Sequence, residues 1–371
     1  MIETDNSNEF DPWQVPESGF VSEQEIRDVG HAPLRITSIG NVEPLDRQFG
    51  VQPKKTVPDS LHGTLFDQPN PTGAEIEAAG GDPAAVPPMQ TYAILDAAKI
   101  VNLPELLGAS GLEHYCLFKG KSYDELKNVA PWLVKLEDGN DFTRRLFTGP
   151  KGINGLWDHE LGIYMRSRAG LADIRKHFRK FTRVQDENGN WLYFRFWESQ
   201  PAHSYFRYVQ YDQDRVLRWF YAERRPLSVL VPDAEMKALN IFTPALSDTD
   251  KRPNAPFVYG ELERAAHRQG KTDQYERRLR RYLIRQNAAY ADLKDERQIE
   301  LVKVLITQAS QYGIRSERGV AGFASASLLH RKPLGDNPRM EQALRSTKHE
   351  IDKVKELTLL VNQKKGISGH D

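Results

Sequence analysis

From Tyr92 onward, short apolar runs alternate with segments of helical spacing, while the first 88 residues, typified by DQPNPTGAEIEAAGGDPAAVPP, follow neither a strand nor a helix period. The first 88 residues are therefore expected as an extended or disordered arm, in which PLRITSI (Pro33 to Ile39) can form an edge strand once something covers it. YAILD, HYCLF, PWLVKLE and LGIYMRS are expected strands. Between them, LPELLGAS has helical spacing with Pro104 near its start. KSYDELKNVA reads as a helix opened by a Ser122/Glu125 capping box, and Asp141 to Phe147 as another short helix. Alternation of this kind predicts an α/β layer, a mixed sheet with flanking helices.

The next segment is the densest in aromatic residues. Leu171, Ile174, Phe178 and Phe181 share one face of a predicted helix whose water side carries Arg175, Lys176, Arg179 and Lys180. Asn188-Gly189 predicts a hairpin turn, because the favoured turns need positive φ. From Trp191 the side chains alternate: Trp191, Tyr193, Arg195 and Trp197 on one face, Leu192, Phe194, Phe196 and Glu198 on the other. With both faces apolar, the strand is expected inside the sheet. Pro201 to Tyr221 reads as one helix, PLSVLVP as the last strand, and Thr243 to Pro256 as a linker. Beyond it the pattern is all-α. Gln298 to Tyr312 places Ile299, Val302, Ile306 and Ala309 on one face, Gly313 stops that helix and Ser316 can cap the next. Three regions follow: an arm over 1–88, an α/β domain over 89–242 and a helical C-terminal domain over 257–363.

Charge adds an asymmetry that periodicity does not show. The chain of 371 residues is formally neutral, with 51 Lys/Arg and 51 Asp/Glu. Residues 1–88 nevertheless hold 15 acidic against 5 basic residues, and residues 251–371 hold 24 basic against 15 acidic. Opposite signs at the two ends suggest separate binding surfaces or a tail that folds back on a basic partner. No apolar run approaches the ~18 residues of a membrane span, and MIETDNSNEFDPW lacks the basic start and apolar stretch of a secretory signal. A cytoplasmic protein is expected. The single cysteine, Cys116, lies in an apolar run and reads as a buried thiol, which excludes an internal disulfide and a cysteine-based zinc cluster.

Motifs for catalysis do not emerge. The nucleophile elbow, the phosphate loop and the dinucleotide fingerprint are missing, and GPKGING (149–155) has the spacing of a surface turn. His159-Glu160 starts like a zinc-protease motif, but Ile163 stands where the second ligand belongs. His177, beside an apolar stripe, reads as a packing histidine. Arg195 must find a carboxylate, a carbonyl or a bound anion if it is buried, so an ion pair and an anion site are both open. On the predicted helix Asp273 to Tyr290, Tyr275, Leu279, Tyr282 and Tyr290 gather on the core side and Arg277, Arg281 and Arg285 surround Ile284 on the other. That basic face suits an acidic protein partner or, as a third reading, nucleic acid.

Taken together, YAILDAAKI, HYCLFKG, VAPWLVKLE, LGIYMRS and above all HFRKFTRVQDENGNWLYFRFWE resemble the effector-chaperone (adaptor) family of bacterial type VI secretion systems, over roughly Tyr92 to Leu230. QASQYGIRSERGVAGFASASLL resembles the helical part that follows the domain in such proteins. Where the family usually continues Phe-Arg-Phe-Tyr/Trp-Asp-Pro-Arg, this chain reads Phe194-Arg195-Phe196-Trp197-Glu198-Ser199-Gln200. The resemblance implies a non-enzymatic protein without cofactor or metal. It would bind a cognate toxic effector, stabilise it, and help load it on the valine-glycine-repeat spike protein. His177, Gly189, Arg195, Trp197 and Glu198 are its structural signature. Arg277, Arg281, Ile284 and Arg285 are the expected partner contact. The competing reading is an α/β ligand-binding or enzymatic domain with an anion site around Arg195.

Overall fold

The alternation along the chain is realised as sheets with flanking helices, followed by an all-helical region. The computed structural model describes residues 32–233, 236–246, 255–330 and 334–367, and two compact units divide them after Gly270. In the first unit the order is β1 (Leu34–Ile39), α1 (Asp59–Phe66), α2 (Gly73–Ala78), β2 (Gln90–Asp96), α3 (Leu103–Ser110), β3 (His114–Cys116), α4 (Lys121–Leu126), β4 (Pro131–Leu136) and α5 (Asp141–Leu146). Then come β5 (Gly162–Ser167), α6 (Leu171–Thr182), β6 (Arg183–Asp186), β7 (Trp191–Tyr193), α7 (Ser199–Tyr208), α8 (Gln213–Trp219), β8 (Tyr221–Ala222), β9 (Arg225–Pro232), β10 (Leu239–Pro244) and β11 (Val258–Tyr259).

The main sheet has the order β1-β10-β9-β5-β2-β4-β3, with β8 paired to β9, and its neighbours run antiparallel. Its centre is the driest part. Every residue of β5 and all but the first of β2 are buried, and the apolar runs Tyr92–Leu95 and Gly162–Met165 lie within them. Gly162 lets the two strands meet, because a Cβ there would lie 1.9 Å from the Ile94 carbonyl oxygen. A smaller sheet, β11-β6-β7, holds the parallel pair β11–β6.

The stretch from Ala32 to Pro88, expected as part of an extended or disordered arm, instead holds β1, α1 and α2 and buries Leu34, Val42, Val57, Leu61 and Leu65 in the core of the first unit, and β1 is the edge strand that PLRITSI allowed. The structure adds what holds it. Arg166 and Arg168, both buried at the end of β5, donate to backbone carbonyls of this irregular stretch: Arg166 to Leu65 and Asp67, Arg168 to Pro87 at 2.8 Å and Pro69 at 2.7 Å. Arg168 also pairs with Glu75 at 2.9 Å. Carbonyls without a ladder need donors, and a guanidinium supplies several at once. Burial pulls the Arg166 guanidinium down to about 10, which leaves it charged at neutral pH.

Several local expectations are corrected. α4 starts one residue before Ser122, from Gly120 in a positive-φ conformation, and makes no side-chain cap, so the capping box does not form. The helix expected over Pro201 to Tyr221 is two helices, because the Asp212 side chain caps Arg215 N–H at 2.8 Å and starts α8 afresh. PLSVLVP is not the last strand: β10 follows, too close to prolines to read as one. The hairpin does form, but with positive φ at Gly189 and not at Asn188, in the loop that Asp186 and Asn190 close.

The second unit contains most of α9 (Glu261–Gln286), then α10 (Ala288–Ala291), α11 (Asp295–Gln311), α12 (Glu317–His330), α13 (Pro338–Arg345) and α14 (Glu350–Ile367). Its core joins Leu279, Leu283, Leu301, Leu305, Phe323, Leu344 and Leu357. Gly313 stops α11 in the left-handed region, and the Ser316 hydroxyl accepts the Gly319 N–H, as the sequence indicated. Two faces are rotated from their expected positions. α11 buries Gln298, Leu301, Val302, Leu305 and Ala309 and exposes Ile299, because the Gln298 amide bonds the carbonyls of Tyr290 and Leu293. Tyr282 points to water while Leu283 is buried.

Candidate protein-binding surface

The segment from His177 to Glu198 divides into an inward and an outward half. Beyond Tyr193 the chain leaves the strand, and Phe194, Phe196 and Trp197 enter the core; Phe196 and Trp197 are fully buried. Phe196 stacks on Phe178 at 5.4 Å, Phe181 on Trp219 at 3.8 Å, and Phe194 meets Trp219 and Tyr205 edge-on. The expected interior strand through Arg195 and Glu198 is therefore overturned. Its double-sided aromatic pattern comes from three residues at a sheet edge joined to an irregular segment that packs inward.

Arg195 is 44% exposed at its side chain, yet it caps a wholly buried carboxylate. Its Nη2 donates to Asp96 Oδ2 at 2.7 Å, its Nε donates to Glu198, and its plane lies 5.4 Å from the Trp197 ring. Burial pushes the Asp96 carboxyl up, while the Ala98 N–H and the guanidinium pull it down. For Arg195, burial lowers the pKa, but Glu198 and Asp96 more than compensate and raise it. Two carboxylates thus satisfy one cation. An added anion here would face their charge, which argues against an anion site and for a fastening between the end of β2 and the aromatic segment.

His177 is buried and donates from Nε2 to the Trp219 carbonyl at 2.9 Å, a packing role. A second fastening went unread in the sequence. Glu263, fully buried at the start of α9, accepts from Arg215 Nε at 3.0 Å, Tyr205 Oη at 3.2 Å and Gly260 N–H at 2.9 Å. A Glu in a first helical turn gave no signal of its own. Cys116 is buried, and burial raises its thiol to about 11. GPKGING packs against residues 44–46, with Gly149 N–H donating to Leu45 O at 2.9 Å and a Cβ at Gly155 excluded by the Gly149 oxygen 2.3 Å away.

The outward half is different. Trp191, Leu192 and Tyr193 are 55%, 37% and 51% exposed on β7, and Tyr115 on β3 is 43% exposed. Tyr193 touches Phe118 at 5.5 Å. Arg175 lies over the Tyr115 ring at 4.6 Å and Arg183 over Trp191 at 4.7 Å. Aromatic and arginine side chains are the types that anchor protein interfaces. Alternation placed Trp191 and Tyr193 on one face but could not say that this face meets water.

The four residues expected to contact a partner lie on α9. Arg281 and Arg285 are exposed, Arg277 is half-buried, and Ile284 is half-buried against the helical core. Ile284 thus already has apolar neighbours within its own unit.

The fold and this surface define an α/β-type domain with an exposed aromatic and basic face. A family model described as a domain of unknown function (DUF4123) matches residues 91–215, about a third of the chain, from β2 into α8. No curated protein and no solved structure matches the chain.

Proposed function

We propose that the protein is a non-enzymatic adaptor that binds a cognate type VI secretion effector, keeps it soluble and presents it to the valine-glycine-repeat spike protein. The observation that carries this reading is the family-model match over residues 91–215, the stretch in which the sequence resembles effector adaptors and which contains the Arg195 fastening and the β7 hairpin. The exposed aromatic and basic face supports it, since a carrier needs an interface that exists before its cargo arrives. A carrier must also let go. Its interfaces are of moderate size, and release follows from higher affinity of the cargo for the spike-bound arrangement.

Co-expression tests this directly. Tagged full-length chain is produced with candidate effector and spike proteins taken from its neighbouring genes and purified at moderate salt. Recovery of a complex, with effector solubility dropping when the chain is omitted, is the expected result. A lone monomer that captures neither protein would end the adaptor reading.

A further inference from the structure

Two clefts flank the outer side of α6. One, of about 500 Å³, is lined by Tyr115, Ala172, Arg175, Lys176, Arg179 and Lys180. The other, of about 600 Å³, includes Lys180, Arg183, Trp191, Leu217, Arg218 and Val258 in its walls. They share Lys180, so the surface is continuous from the exposed ring of Tyr115 to that of Trp191. Among the described residues Arg175, Arg179, Lys180 and Arg183 form no ion pair with a carboxylate, while Lys176 does, with Glu223 at 2.8 Å. Next to them β7 pairs with β6 and ends the smaller sheet, so its other edge has no strand beside it among the described residues.

We propose that this face takes an extended, acidic segment of the cargo, which runs along the free edge of β7 with its apolar side chains against Trp191 and Tyr193 and its carboxylates against the α6 and β6 cations. The assignment of the segment to a cargo rests on the adaptor reading; the chemistry of the face does not. A three-residue open edge offers peptide hydrogen bonds, and side-chain clefts beside such an edge are the usual source of selectivity in strand addition. Charge complementarity selects the sign of the partner. A second copy of the chain docked through the same face would bring these arginines against one another, which disfavours it. Single-stranded nucleic acid is also attracted by cations beside aromatics, but it needs free ring faces. Here one face of Tyr115 and one of Trp191 are already covered by guanidinium groups.

The test uses the full-length chain and fluorescein-labelled probes read by anisotropy: a short peptide alternating Glu with Val, its counterpart with Lys for Glu, and a single-stranded oligothymidylate. The Glu/Val peptide is expected to bind, more weakly as salt rises, and to lose at least about tenfold in affinity with either Trp191→Asp plus Arg183→Glu or Arg175→Glu plus Arg179→Glu. The second pair leaves the hairpin intact, and unchanged melting of both variants separates lost binding from lost folding. Equal binding of the Lys peptide, tighter binding of the oligothymidylate, or no binding of the Glu/Val peptide would each overturn the proposal. So would binding that appears only after residues 1–31 are deleted. That segment carries eight acidic residues against one arginine, and the result would give the face to the chain's own N-terminus. In the co-expression assay the same variants should lose the effector. If the wild type recovers none, the adaptor reading fails, and the peptide result still decides the face.

Discussion

The neighbouring residues Tyr193 and Phe194 put the same side-chain chemistry to opposite uses. Trp191 and Tyr193 stand in water with arginines across the Trp191 and Tyr115 rings, whereas Phe194 and Phe196 pack beside Trp219 and Trp197 is buried against Phe118 and Phe196. Arg195, within the inward segment, faces both ways, its guanidinium nearly half exposed and its charge spent on the buried Asp96. Aromatic density marks neither a core nor an interface until the backbone is placed. Burial of a large ring contributes roughly 1.5–3 kcal/mol to folding. The same ring left exposed contributes little to folding and is available to a partner.

Substitutions in the inward and outward halves should differ widely in cost. Phe196→Ala removes a fully buried ring and is expected to cost about 3–5 kcal/mol in denaturant unfolding. Arg195→Lys comes next, at about 2 kcal/mol. An ammonium cannot hold Asp96 and Glu198 in the forked geometry of the guanidinium, and a buried carboxylate is left partly unpaired. Its melting curve should shift with no change in affinity for simple anions; an anion-binding loss at constant stability would restore the competing site at Arg195. Trp191→Asp should stay within about 0.5 kcal/mol of wild type, since an exposed side chain away from caps and cores rarely matters more. The smallest effect belongs to the second unit. The Ser316 hydroxyl and the N–H groups of Arg315 and Ser316 pull the Glu350 carboxyl down to about 2, from 4.5. A depressed carboxylate contributes stability that is present above 4.5 and is lost as pH falls toward about 2. Glu350→Gln should therefore lessen the acid-induced drop in stability of the helical unit across that window while slightly lowering stability at neutral pH.

The sequence was most legible where one face repeats. α6 has its apolar stripe at Leu171, Ile174, Phe178 and Phe181, all buried, and β2 and β5 show themselves through the apolar runs Tyr92–Leu95 and Gly162–Met165. Legibility failed where a pattern has two physical causes. Alternation of aromatics through Trp191–Glu198 fits an interior strand, and equally an edge strand followed by an inward segment; only the long-range partner Asp96 distinguishes them. Pro201 to Tyr221 looked like one helix because the aromatic spacing carries across Asp212, whose cap is a local contest that periodicity ignores. The anchoring of residues 65–88 depends on Arg166 and Arg168, which the strand pattern counts simply as ends. For the partner surface, sequence pointed to Arg277, Arg281, Ile284 and Arg285. The structure half-buries Ile284 in its own unit, leaves Arg281 and Arg285 exposed, and exposes Trp191 and Tyr193 as well.

The most direct test of the division between inward and outward halves is amide hydrogen exchange on the chain, free and in the purified effector complex. Protection gained over Arg183–Tyr193 and along α6, with Phe194–Trp197 equally slow in both states, is the predicted result. Protection confined to other elements, with β7 exchanging as fast in the complex as alone, would contradict it.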